Sequence, residues 1–165
     1  MSFVASPDQC MFFACGGPKP LRFYREMISV EFLTTEEFVR SVLPPGFEPV
    51  DKPVGNISIS AWASNRYGSF DLGMVSLQCK HKGVVGGWML TIVIDQDMGA
   101  FYGREAWGEV KKCGSSQLFR NGYTRSGFTK RGDVKLFELE GRIRERGRWR
   151  DCIRKSVEVH CINSN

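Results

Sequence analysis

The run Trp88–Ile94, WMLTIVI, constrains this chain more than any other segment. A strand that is apolar on both faces must be covered on both, so it calls for layers above and below it. Seven residues are also far too few to cross a bilayer, and the other apolar runs of the chain are short and interrupted as well. Before this run, residues 21–33 (LRFYREMISVEFL) alternate through Ile28, Val30 and Phe32, which predicts a half-buried strand. Residues 55–64 put Ile57, Ile59, Ala61 and Ala63 on one face and Ser58, Ser60 and Trp62 on the other. Residues 69–81 and 85–95 read as two long strands joined by a turn at Lys82-Gly83.

Between the first two strands, Thr34 or Thr35 can cap a short helix. Glu36 and Glu37 suit its positive end, Phe38 and Val42 lie one turn apart, and Pro44-Pro45-Gly46 stops it. MGAFYGREAW reads as a second short helix, weakened by Gly99 and Gly103. After Gly114 the pattern becomes vague; VKLFELEGRIRERGRWR and KSVEVHCI look like strands interrupted by glycine. Residues 1–20 lack periodicity and read as a loose arm, leaving residues 21–165 as a single domain. With 165 residues, one domain with a real core is the natural size. The fold class expected is mainly β (α+β), a barrel or curved sheet with small peripheral helices.

The N-terminus has no basic n-region and carries Asp8 inside its apolar part, so it makes a poor secretory signal. Six cysteines show no CxxC spacing and only two histidines accompany them, which disfavours a zinc site. Reduced thiols in the cytoplasm fit better. The net charge of +5 owes much to Arg142, Arg144, Arg146, Arg148 and Arg150, which share one face if that segment is a strand. Glu140, Glu145 and Asp151 dilute the field, favouring a solvated face over a nucleic-acid surface.

The chemistry-bearing segment is IDQDMGAFYGREAWGEVKKCG, where Lys111 and Lys112 follow the most apolar strand. A lysine attacks a carbonyl only as the free amine, which burial or a second nearby cation favours. Taken alone, a lysine pair is ordinary surface charge. Several features in order change that weighting. Tyr24-Arg25-Glu26 opens the first strand, and Leu43-Pro44-Pro45-Gly46-Phe47-Glu48 forms the turn after the helix. A glycine-framed hairpin runs from Gly83 to Asp95, and Gly103-Arg104-Glu105 precedes Lys111-Lys112 without a gap. Over residues 24–112 the sequence resembles the acetoacetate decarboxylase family, itself a standing example of a lysine activated by a neighbouring cation.

The resemblance implies a Schiff-base lysine at Lys111, with Lys112 as the cation beside it. It implies Arg25 as a partner for a substrate carboxylate, where a plain surface arginine is the alternative. Arg104 and Glu105 would hold the lysine segment against the sheet. The family's two glutamates fall on Ser58 and Leu72; Asp71 is one residue early and so on the opposite face. Val110 stands where the family has proline, and the chain is short beside the family domain. The implied activity is decarboxylation of a β-keto acid without metal or organic cofactor. Another Schiff-base lyase (aldolase, dehydratase or cyclase) and a non-catalytic ligand-binding relative remain alternatives. A short barrel would leave an open edge, so a homo-oligomer and no membrane partner are expected.

Overall fold

The computed structural model describes residues 22–65 and 67–143. The expected N-terminal arm, the strand at KSVEVHCI and most of the arginine stripe lie outside them.

The first strand, β1 (Phe23–Leu33), leads into α1 (Glu36–Val42). Thr35 caps α1 by accepting a hydrogen bond from the Phe38 N–H (3.2 Å). The helix buries Val39, whereas Phe38 is exposed. Its inward face is Val39 with Val42 and Leu43, one residue round from the Phe38–Val42 line. Next come β2 (Phe47–Pro49), β3 (Val54–Ser64), β4 (Gly68–His81) and β5 (Val84–Ile94). The β4–β5 hairpin turns at Lys82 and Gly83, both with positive φ (50° and 79°), the primed-turn geometry that matches strand twist. Helix α2 (Asp97–Trp107) then crosses over to β6 (Lys111–Cys113), and the meander β7 (Ser115–Asn121), β8 (Thr124–Arg131), β9 (Val134–Arg142) completes the described chain.

A six-stranded sheet runs in the order β1-β3-β4-β5-β6, with β2 paired on β4; β7-β8-β9 form a second sheet. All pairs are antiparallel except β5–β6, whose parallel pairing is what the intervening helix makes possible. Among the described residues the two curved sheets do not close, so of the barrel or curved sheet expected from the sequence it is the open, curved form that is seen, and not a closed barrel.

One face of the large sheet meets the small one: Ile28, Ile59 and Leu139 are buried there, with Val30, Ile57, Leu118 and Phe137 packed around them. The approach is close. A methyl added at Gly73 would run into the Thr129 side chain, and one at Gly127 would lie 3.1 Å from Ile59 Cγ2. The other face carries Leu72, Ile92, Ile94 and Ala100, packed with Trp62, Phe70, Met74 and Val110. Burying each such side chain stabilises the fold by roughly 1.5–3 kcal/mol.

The apolar run is only partly enclosed. Ile92, Val93 and Ile94 are buried, whereas Trp88 and Leu90 are half-buried and Val84, Val85 and Met89 exposed. The reason is lateral: β6 pairs with β5 only from Ile92 to Ile94, leaving the earlier part of β5 as an edge among the described residues. There Trp88 finds cover on Phe47, their ring centroids 5.1 Å apart.

Two acids tie the sheets together. Glu26 on β1 pairs with Arg120 and Arg125 of the small sheet, each at 2.6 Å. Asp71 on β4 accepts a hydrogen bond from the Leu118 N–H (2.9 Å). Burial raises the Asp71 carboxyl above its ordinary value, with the Asp95 charge adding to it; the Leu118 bond and Arg120 act the other way. An acid whose folded pKa is raised stabilises the fold fully below its unfolded value, and that stabilisation is lost as pH rises through the folded value. Asp71→Asn keeps an oxygen for Leu118 and removes the desolvated charge. Its melting temperature is therefore expected to equal or exceed that of the wild type at pH 7, with the difference closing by pH 4. Thermal denaturation at the two pH values checks this; a variant weakened most at pH 7 would contradict it.

Candidate active site

The position of Lys111 is set by how α2 ends. Gly108 adopts the left-handed conformation (φ 65°), and its N–H bonds the Arg104 carbonyl (3.1 Å). A residue with a β-carbon pays for that conformation, which is why helices so often end on glycine. The Glu109 N–H then bonds the Gly103 carbonyl (3.0 Å), folding the chain back under the helix. Val110 drops into the apolar cluster, and β6 begins at Lys111.

Strand register decides which side chains share its face. Ser29, Ser58, Met74, Ile92 and Lys111 form one row across β1, β3, β4, β5 and β6. The next row is Met27, Ser60, Leu72, Ile94 and Cys113, and beyond it lie Arg25, Trp62 and Phe70. Lys111, Ser58, Leu72 and Arg25 are therefore on one side of the sheet. Lys112 pairs with Val93 and points to the other side, exposed.

Sharing a face is not the same as meeting. Ser58 stands three strands from Lys111, about 14 Å backbone to backbone at the usual interstrand spacing. Arg25 is on the far edge strand, exposed, with its guanidinium 5.1 Å from the Trp62 ring centre. Leu72 is core, packed on Ile92, Ile94 and Ala100. Arg104 and Glu105 lie exposed on α2, whereas the neighbouring Gly103 is buried.

What Lys111 does meet is Gly103 and Glu109. A methyl added at Gly103 would lie 2.5 Å from Lys111 Cδ and 2.6 Å from Nζ, so the missing side chain is the groove along which the lysine runs. Lys111 Nζ lies 2.7 Å from Glu109 Oε2, with the two side chains 15% and 26% exposed. That oxygen is shielded from water and has no hydrogen-bond partner among the described residues, so the contact is an ion pair. Sequence reasoning missed Glu109; no spacing rule marks it, because the cap at Gly108 sets its direction. The Ser58 hydroxyl is likewise buried without a hydrogen-bond partner among the described residues. Ser60 accepts from Trp62 Nε1 (2.8 Å). Asp71 lies on the opposite face from Leu72, as the one-residue offset requires.

An open, curved, strand-dominated sheet with a helix-backed lysine strand at its edge defines the class of this protein. The chain belongs to the acetoacetate decarboxylase family, whose model matches residues 8–163. It is 32% identical over 120 residues to acetoacetate decarboxylase 3 of Mesorhizobium japonicum, covering 71% of this chain and 46% of that one. It thus spans about half the length of the curated relatives it matches. Among solved structures it resembles the acetoacetate decarboxylase of Legionella pneumophila (TM-score 0.72, 23% identity, 82% of this chain and 54% of that one). The enduracididine biosynthesis enzyme MppR, complexed with the condensation product of pyruvate and imidazole 4-carboxaldehyde, shares the fold (TM-score 0.65, 19% identity, 86% and 62%). Among the described residues no helix is long and apolar enough to cross a membrane.

Proposed function

We propose that the chain performs Schiff-base chemistry on a keto acid at Lys111, in the manner of its decarboxylase relatives. The observation that carries this is the seat of the lysine: mostly buried, laid along Gly103, on a strand docked against the apolar core. The amine attacks the ketone of a β-keto acid, and the iminium takes up the electron pair released with carbon dioxide. The enamine is then protonated, and water frees the ketone. Of the other residues the resemblance assigns, Arg25 and Ser58 share the Lys111 face and are the ones we assign to the substrate side, and Leu72 is core beneath that face. Lys112, Arg104 and Glu105, exposed and turned away from Lys111, are given no direct part.

A second reading, a Schiff-base lyase of another reaction type, is favoured by one observation. Ser58 and Leu72 offer no carboxylate where decarboxylase relatives are expected to carry glutamates. Imine formation should then survive better than decarboxylation. Incubation with acetoacetate, followed by product analysis and by borohydride trapping, separates the readings. Acetone and carbon dioxide support the first, and a trapped imine without carbon dioxide supports the second. Neither product nor imine would leave a non-catalytic relative.

The exposed edge of β5, with Val84, Val85 and Met89, is where we place a second copy of the chain. Sedimentation is expected to give a dimer or larger species, and charged substitutions at Val85 and Met89 a monomer; a monomeric wild type contradicts this. Free thiols at Cys79 and Cys113 suit a cytoplasmic setting.

A further inference from the structure

We propose that Glu109 is the catalytic acid-base of this site, carrying the proton that Lys111 must lose and the carbinolamine must gain; the inference rests on the Schiff-base reading above. Forming an imine needs two proton movements, and a carboxylate in contact with the amine can serve both. The candidates for that task are few. Ser58 and Leu72 supply no carboxylate. Asp71 is on the other face, bonded to the Leu118 N–H, and Glu105 is exposed on α2. Lys112 points away. Asp97 lies near Cys113, whose thiol it helps to keep protonated. Glu109 alone among these acids touches the reacting nitrogen, at 2.7 Å.

Its geometry also fits the sequence of events. In the resting pair the Lys111 ammonium passes one proton to Glu109, leaving a neutral amine. The nitrogen lone pair forms the C–N bond, the carbonyl π pair moves to oxygen, and that oxygen takes a proton from the nitrogen. Glu109 then returns its proton to the hydroxyl as the C–O bond breaks. Water leaves, and the iminium remains beside the Glu109 carboxylate, an ion pair of the same sign pattern as at the start. No oxidant, metal or added co-reactant enters the balance.

A rival role for the same contact is a lock that merely holds the ammonium. The two predict opposite outcomes when the carboxylate is removed. The probe is acetone, a neutral ketone that needs no carboxylate-binding residue, trapped with sodium borohydride and followed by intact mass. Glu109→Gln is expected to label about 100-fold more slowly than the wild type, within the range of general acid-base contributions. Glu109→Asp should recover part of the rate, and added acetate should restore Glu109→Ala, which a purely structural role would not allow. Far-UV circular dichroism checks that each variant is folded. Labelling of Glu109→Gln as fast as or faster than the wild type overturns the inference while leaving Lys111 as the nucleophile. A wild type that does not label at all removes the Schiff-base reading, and this inference with it.

Discussion

Alanine at position 103 is expected to leave the fold standing and to stop Lys111 from forming an imine. Gly103 is buried in α2, and its α-carbon is the floor under the lysine chain. An added methyl would press on Lys111 Cδ and Nζ and on the Glu109 carboxylate. Those are the far ends of flexible side chains, so they move and the backbone need not. Helix propensity works in favour of the variant, since alanine in a helix interior is better than glycine by about 1 kcal/mol. The expected result is a melting temperature within a few degrees of the wild type and a trapping rate lower by at least about tenfold, since small misplacements of a reacting group are costly. A fully active Gly103→Ala would mean that the lysine does not react from this groove.

The second large effect separates two adjacent lysines. Lys111 lies in the row with Ile92, on the side covered by α2; Lys112 lies in the row with Val93 and is exposed. A strand allows no compromise between the two faces, so a substrate approaching one cannot be reached by the other. Lys111→Ala removes the nucleophile and should abolish labelling. Lys112→Ala removes only a charge on the far side, which water screens, and should change the rate by no more than a few-fold.

The long strands were legible because their two faces differ in kind. In β3 the alternation of Ile57 and Ile59 with Ser58 and Ser60 follows the small sheet on one side and the lysine face on the other. The Lys82-Gly83 turn and the Thr35 cap carry local chemistry that any sequence displays. The strands after Gly114 were obscure for a physical reason. Where the two sheets approach most closely, β8 buries Gly127 and Thr129 instead of large apolar residues. Small side chains erase the apolar alternation that reveals a strand. Asn121-Gly122, with Gly122 at φ 54°, was the available sign of the β7–β8 hairpin. At the site, the same-face relation of Lys111, Ser58 and Leu72 follows from period-two reasoning once register is known, and register was not in the sequence. The Glu109 contact depends on a cap that turns the chain through a left-handed glycine, a three-dimensional consequence of Gly108. Among the described residues the sheet stays open, as a curved sheet does, because β6 reaches only three residues along β5.

The most direct measurement is borohydride trapping with acetoacetate on the wild type, Lys111→Ala and Lys112→Ala, read by intact mass and peptide mapping. The account predicts one label on the wild type at Lys111, one on Lys112→Ala at the same residue, and none on Lys111→Ala. Equal labelling of all three proteins, or a label that maps to Lys112, would contradict it.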